Sequence, residues 1–200
     1  MSSYVKAAIK EISKFIEAAI NLISDNEINS LVETLIEAYR SGRKVLIVGA
    51  GRSGLVGRAF AMRLMHLGFN VYVLGETITP RLDVGDVVIA ISGSGRTRLV
   101  VTAAEVARSI GAKIIAVTSH PDSPLAKLAD LVVRIPGRTK VATEEDYIVR
   151  QLLGMHEPLT PLGTLFENTA LAVLDGVIVE LMKRLGVSEE ELKLRHANIE

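Results

Sequence analysis

The chain has 200 residues, 48% of them hydrophobic, a length and apolar content that suit one globular domain with a full core. Its 23 basic and 23 acidic residues cancel, so it lacks the basic excess that a nucleic-acid surface or an anionic-membrane binder needs. It has no cysteine, which excludes disulfides, thiolate catalysis and cysteine-zinc sites. The first 22 residues mix charges with apolar positions, unlike a signal peptide, and no apolar run is long enough to span a bilayer. The expected location is therefore the cytoplasm.

Apolar residues from Val5 to Ile23 recur at helical spacing and predict a first helix. A second is expected over about 26–39, opened by a Ser24–Glu27 capping box and followed by Gly42. Five short apolar runs, at 44–48, 70–74, 87–91, 113–118 and 131–135, read as strands. Helices are expected between them at 53–67 and 97–110, with a shorter one near 124–128. The alternation predicts an α/β three-layer sandwich, a five-stranded parallel sheet covered by helices on both faces. Residues 136–162 are polar and irregular, either a functional loop or a surface excursion. Beyond them 164–185 reads as a long helix. Ser188 and Glu191 open a short one that carries Arg195 and His196. The whole chain reads as a single domain. Its N-terminal helices (3–40) and C-terminal helices (164–196) pack on that domain and on neighbouring subunits. The long apolar stripe of the first helix predicts a homo-oligomer, a dimer of dimers.

Two glycine-serine loops stand directly after apolar strands. One is Gly49-Ala50-Gly51-Arg52-Ser53-Gly54 and the other Ser92-Gly93-Ser94-Gly95-Arg96-Thr97. A strand, tight turn and helix N-terminus present free backbone N–H groups and the positive end of a helix dipole, which suits a phosphate. The first loop also has the spacing of a dinucleotide fingerprint, with Glu76 just past the next strand where a ribose would be held. The hydroxyls of Ser92, Ser94 and Thr97 favour a phosphorylated small molecule instead, because a dinucleotide site has no need of them.

The segment 91–97 resembles the phosphosugar-binding signature of the SIS (sugar isomerase) domain family. Residues 49–54, 61–69, 75–80, 161–167 and 195–200 extend the similarity over about 28–200. Together they resemble the 6-phospho-3-hexuloisomerase branch of that family. The resemblance implies interconversion of D-arabino-3-hexulose 6-phosphate and fructose 6-phosphate through an enediol, as in the ribulose monophosphate pathway, with no metal or redox cofactor. It implies that Ser92, Ser94, Gly95 and Thr97 hold the phosphate, with Gly93 and Arg96 as further substrate-binding residues. Ser53, Arg52, Arg98 and Glu76 would contact the ligand.

The resemblance also makes Glu167 the base that moves the carbon-bound proton, with His66 or His196 as partner acid. Spacing alone leaves other roles open. Thr164 and Glu167 fit a capping box, Ser53 fits an N-cap, and a lone histidine such as His66 is ordinarily a packing residue. His120 and His156 stand beside turn prolines, and four scattered histidines make no metal pattern. Two other readings remain at this level, a regulatory module that binds a sugar phosphate without turnover and an NAD-binding protein.

Overall fold

Consecutive residues of β1 (Lys44–Gly49) fall alternately into two separate cores. Val45 and Ile47 point into one, Leu46 and Val48 into the other, as the two-residue period of a strand requires. The same division holds for β3 (Val87–Ile91) and β4 (Lys113–Thr118), which is why these strands are apolar without interruption. The computed structural model describes residues 3–137 and 159–195. His156, His196 and most of the 136–162 stretch lie outside the described residues.

The larger core is closed by α2 (Asp25–Arg40), α3 (Gly51–Leu67) and α6 (Thr164–Leu185), with Leu192 of α7 (Glu189–Leu194) at its rim. The opposite face is covered by α4 (Arg98–Ile110) and α5 (Pro124–Leu128). With β2 (Asn70–Val73) and β5 (Leu131–Arg134) the sheet has five strands, all parallel, in the order β2-β1-β3-β4-β5. Val45 of β1 stands in register with Val71 on one side and Val87 on the other. The chain thus leaves β1 in one direction and returns on the other side at β3. In open parallel sheets ligands bind at such a switch point, outside the carboxyl ends of the strands.

The amino ends of the strands are tied differently. Asp86 is 2% exposed. It accepts from the N–H of Lys44 at 2.9 Å and the N–H of Asp83 at 2.8 Å, and pairs with Lys44 Nζ at 3.0 Å. Hydrogen bonds to Asp83 and then Asp86 raise the Lys44 ammonium above its ordinary value, and the bond to Lys44 lowers the Asp83 carboxyl. This cluster fixes the start of β1 against β3, far from the glycine loops.

Several boundaries differ from the sequence pattern. α3 begins at Gly51 rather than at residue 53, and α1 (Ser3–Ile20) stops short of Ile23. The expected box at the start of α2 is half formed. Ser24 accepts from the Glu27 N–H, but the Glu27 carboxylate turns away to the backbone N–H of Arg134 at 2.7 Å. α1 buries only Ala19 fully, and leaves Tyr4, Val5 and Ile9 more than half exposed. Among the described residues no helix is long and apolar enough to cross a membrane.

Candidate active site

Three helices, α3, α4 and α6, begin around one cavity of about 320 Å³ at the carboxyl edge of the sheet. Their N-cap residues, Ala50, Thr97 and Gly163, all line it, with Arg52, Ser53, Gly93, Ser94, Phe166 and Glu167. None of the three caps places a side chain on the helix backbone. The first N–H groups of each helix therefore keep no side-chain acceptor, and three positive dipole ends converge on one small volume. Such a cavity suits an anion.

The loop after β3 is held from below. Gly95 has φ +61, and a Cβ there would lie 2.0 Å from Ser123 Oγ, so only glycine lets the turn close. Its N–H donates to the Ser92 carbonyl and its carbonyl accepts from Leu125. Thr118 Oγ1 and the Ser119 N–H both donate to the Gly93 carbonyl, at 3.2 and 3.1 Å. Ser92 is 2% exposed, and its hydroxyl lies 3.0 Å from that of Thr97. Ser92 thus orients Thr97 from beneath, while Ser94 and Thr97 face the cavity. Thr118, Ser119 and Ser123 were not singled out from sequence. The Ser123-Pro124 pair, a helix start beside the glycine loop, was the available signal.

The first loop brings strand and helix into backbone contact. A Cβ on Gly49 would meet the Gly54 backbone at 2.9 Å, and one on Gly54 would meet the Gly49 carbonyl at 3.0 Å. The fingerprint spacing is therefore accounted for by the packing of α3 against β1. Ser53 sits inside the first turn of α3 and is not its N-cap, which corrects the capping alternative. Ser53 lines the cavity.

Glu167 is in the first turn of α6, and the N-cap of that helix is Gly163 (φ +95), not Thr164. The capping box that the spacing allowed does not form. The Glu167 carboxylate instead pairs with Nε of Arg52 across the cavity, with the Glu167 side chain 13% exposed and the Arg52 side chain 59%. A carboxylate and a guanidinium thus stand side by side in the lining that the serine-threonine loop shares.

Other expected residues are not brought to this cavity. His66 is 3% exposed in the last turn of α3. It is roughly 20 Å from Arg52 at about 1.5 Å per helical residue. Within one protomer His66 and Arg52 thus stand at opposite ends of α3. The carbonyl of His66 accepts from Arg195 at 3.1 Å, so α7 folds onto that far end of α3. Glu76 pairs with Arg58 at 2.6 Å outside the lining, and Arg96 and Arg98 are exposed beside it. A larger hollow of about 710 Å³ lies at the amino edge of the sheet, between Arg43, Arg108 and Lys113. Arg43 and Arg108 there donate to the Val84 and Leu128 carbonyls. Among the described residues the helix ends that line that hollow are the C-termini of α2 and α4, which do not favour an anion.

Residues 38–154 match the model of the SIS domain family. A protein of Aeropyrum pernix called an uncharacterized protein is 58% identical over 100% of this chain and 94% of its own. A 3-hexulose-6-phosphate isomerase of Bacillus subtilis is 38% identical, covering 96% of this chain and 97% of that one. A crystal structure from Methanococcus jannaschii, described as inferring a 3-hexulose-6-phosphate isomerase function, is similar with a TM-score of 0.77. It is 38% identical over 96% of this chain and 98% of its own.

Proposed function

This chain belongs to the SIS domain family, and we propose that it is a phosphosugar isomerase interconverting D-arabino-3-hexulose 6-phosphate and fructose 6-phosphate. The observation that carries this reading is the single cavity in which the Ser94–Thr97 turn faces the Arg52–Glu167 pair. The phosphate docks on Ser94, Thr97 and the free N–H groups at the start of α4, with Ser92 and Gly95 shaping the turn. Ser53 and Arg52 contact the sugar chain.

The carboxylate of Glu167 removes the proton from C2 of the 3-hexulose, giving an enediol across C2 and C3. The same group then delivers that proton to C3 while the hydroxyl proton passes from O2 to O3. His66 and Arg195, the residue before His196, meet at the far end of α3, so the proposed carrier of the oxygen proton is His66 or His196 supplied by a second copy. The exposed apolar residues of α1 support burial against a second copy, as in a dimer of dimers.

The test is a coupled assay for fructose 6-phosphate formed from the 3-hexulose phosphate. Turnover that saturates with substrate is expected. Ligand binding without turnover would replace this reading with a regulatory one.

A further inference from the structure

Glu11 sits on the half-buried side of α1, and its carboxylate reaches residues 159 and 160, a few residues before the start of α6. Oε1 accepts from the backbone N–H of Leu159 at 2.7 Å and Oε2 from that of Thr160 at 2.8 Å. Thr160 is 5% exposed, and its hydroxyl has no hydrogen-bond partner among the described residues. The segment before α6 is therefore gripped by its backbone, and the grip comes from Glu11. Pro161 follows, with its carbonyl accepting from Thr164 at 3.1 Å. Then come Leu162 and Gly163, which line the cavity, and the Gly163 carbonyl accepts from the N–H of Glu167 at 3.0 Å. A short, directly bonded path thus runs from a helix at the chain's start to the carboxylate at the reacting centre.

We propose that Glu11 is a positioning residue, which fixes the turn that opens α6 and through it the placement of the Glu167 carboxylate. This rests on the reading of Glu167 as the proton-moving base. Two charge-assisted bonds to consecutive N–H groups define both the height and the direction of that segment, which one bond would not. Glu11→Ala removes both. Glu11→Gln keeps one acceptor and turns an NH2 group towards the second N–H, so it retains about half the grip.

The experiment measures kcat, KM and deuterium exchange of a peptide that begins at least two residues before Leu159 and ends at 167, in the full-length protein and in the two variants. For Glu11→Ala kcat is expected to fall by about tenfold or more, because small displacements of a reacting group have effects of that size. KM should stay within about threefold, since Ser94 and Thr97 are untouched and phosphate grip is set by them. Glu11→Gln should fall between, and protection of the Leu159 and Thr160 amides should decline in the same order. Unchanged kcat in Glu11→Ala, or unchanged protection of those amides, overturns the proposal. So does a loss that appears only as a lower melting temperature. Should the unmodified chain fail to turn over the hexulose phosphate, the functional reading falls, and the exchange result alone decides whether Glu11 sets the turn.

Discussion

At the N-termini of α2, α5 and α7 a serine hydroxyl accepts from the helix backbone, Ser24 at 3.4 Å, Ser123 at 3.3 Å and Ser188 at 3.2 Å. At α3, α4 and α6 the corresponding residues are Ala50, Thr97 and Gly163, and none does so. Thr97 has the right side chain and turns it to Ser92 instead. A side-chain cap stabilises a helix by about 0.5–2 kcal/mol. That stabilisation is present at the periphery and forgone at all three helix starts around the cavity. The difference teaches that the cavity is recognisable by what is missing there, since donors satisfied by the protein are not available to an anion.

The largest expected effect tests whether α6 belongs on the uncapped side. Glu167→Gln should lower kcat by about 10²–10⁴-fold, the usual loss on removing a general base. The melting temperature should barely move, because Gly163 and not Glu167 forms the cap. A variant with near-normal turnover and a lowered melting point would return Glu167 to a capping role. Next, Ser94→Ala combined with Thr97→Val removes hydroxyls from α4's uncapped start. Each hydrogen bond to a charged group contributes about 1.5–3 kcal/mol, so KM should rise by at least about tenfold with a smaller change in kcat. Steady-state kinetics on the double variant would check it.

The comparison can also be pushed from the other side. Ala50 has the extended backbone of an N-cap, φ −123 and ψ 146, and needs only a side chain to become one. Ala50→Asp should raise thermal stability by about 1 kcal/mol while raising KM, because the new carboxylate occupies donors and repels the phosphate. Gained stability with unchanged KM would show that α3's first turn takes no part in binding. The smallest effect concerns α7, whose Glu191 carboxyl is lowered by the Ser188 backbone N–H and then by its hydroxyl. A lowered carboxyl contributes stability above its ordinary value of 4.5, and that contribution is lost as pH falls through the lowered one. A melting series from pH 6 to pH 3 should therefore be slightly shallower for Glu191→Gln, with kcat unaltered at neutral pH.

Much of this was legible in the sequence. The strands are buried on both faces and so are apolar throughout, and the two loops announce themselves by glycine and serine content. Helix starts were less legible. Ser188–Glu191 forms the box its spacing predicts, yet Ser24–Glu27 forms half, because a backbone N–H from β5 competes for Glu27. At Thr164–Glu167 spacing could not foresee that Gly163, in a left-handed conformation, would take the cap position one residue earlier. The distance of His66 was in the sequence all along, since it stands at the far end of the helix that Arg52 begins. The Glu11 contact had no local signal, because its partners lie 148 and 149 positions away.

The seam between Gly49 and Gly54 bears on the descent of such chains. A side chain at Gly49 would force the backbone of α3 to shift from β1, and one at Gly54 would press on the Gly49 carbonyl. The restriction is indifferent to what lies in the cavity. A lineage could trade serines, change the sugar or lose the carboxylate altogether and still inherit both glycines. A genome search on that spacing alone would then gather cousins by their architecture, and only the hydroxyls of the second loop would sort them by trade.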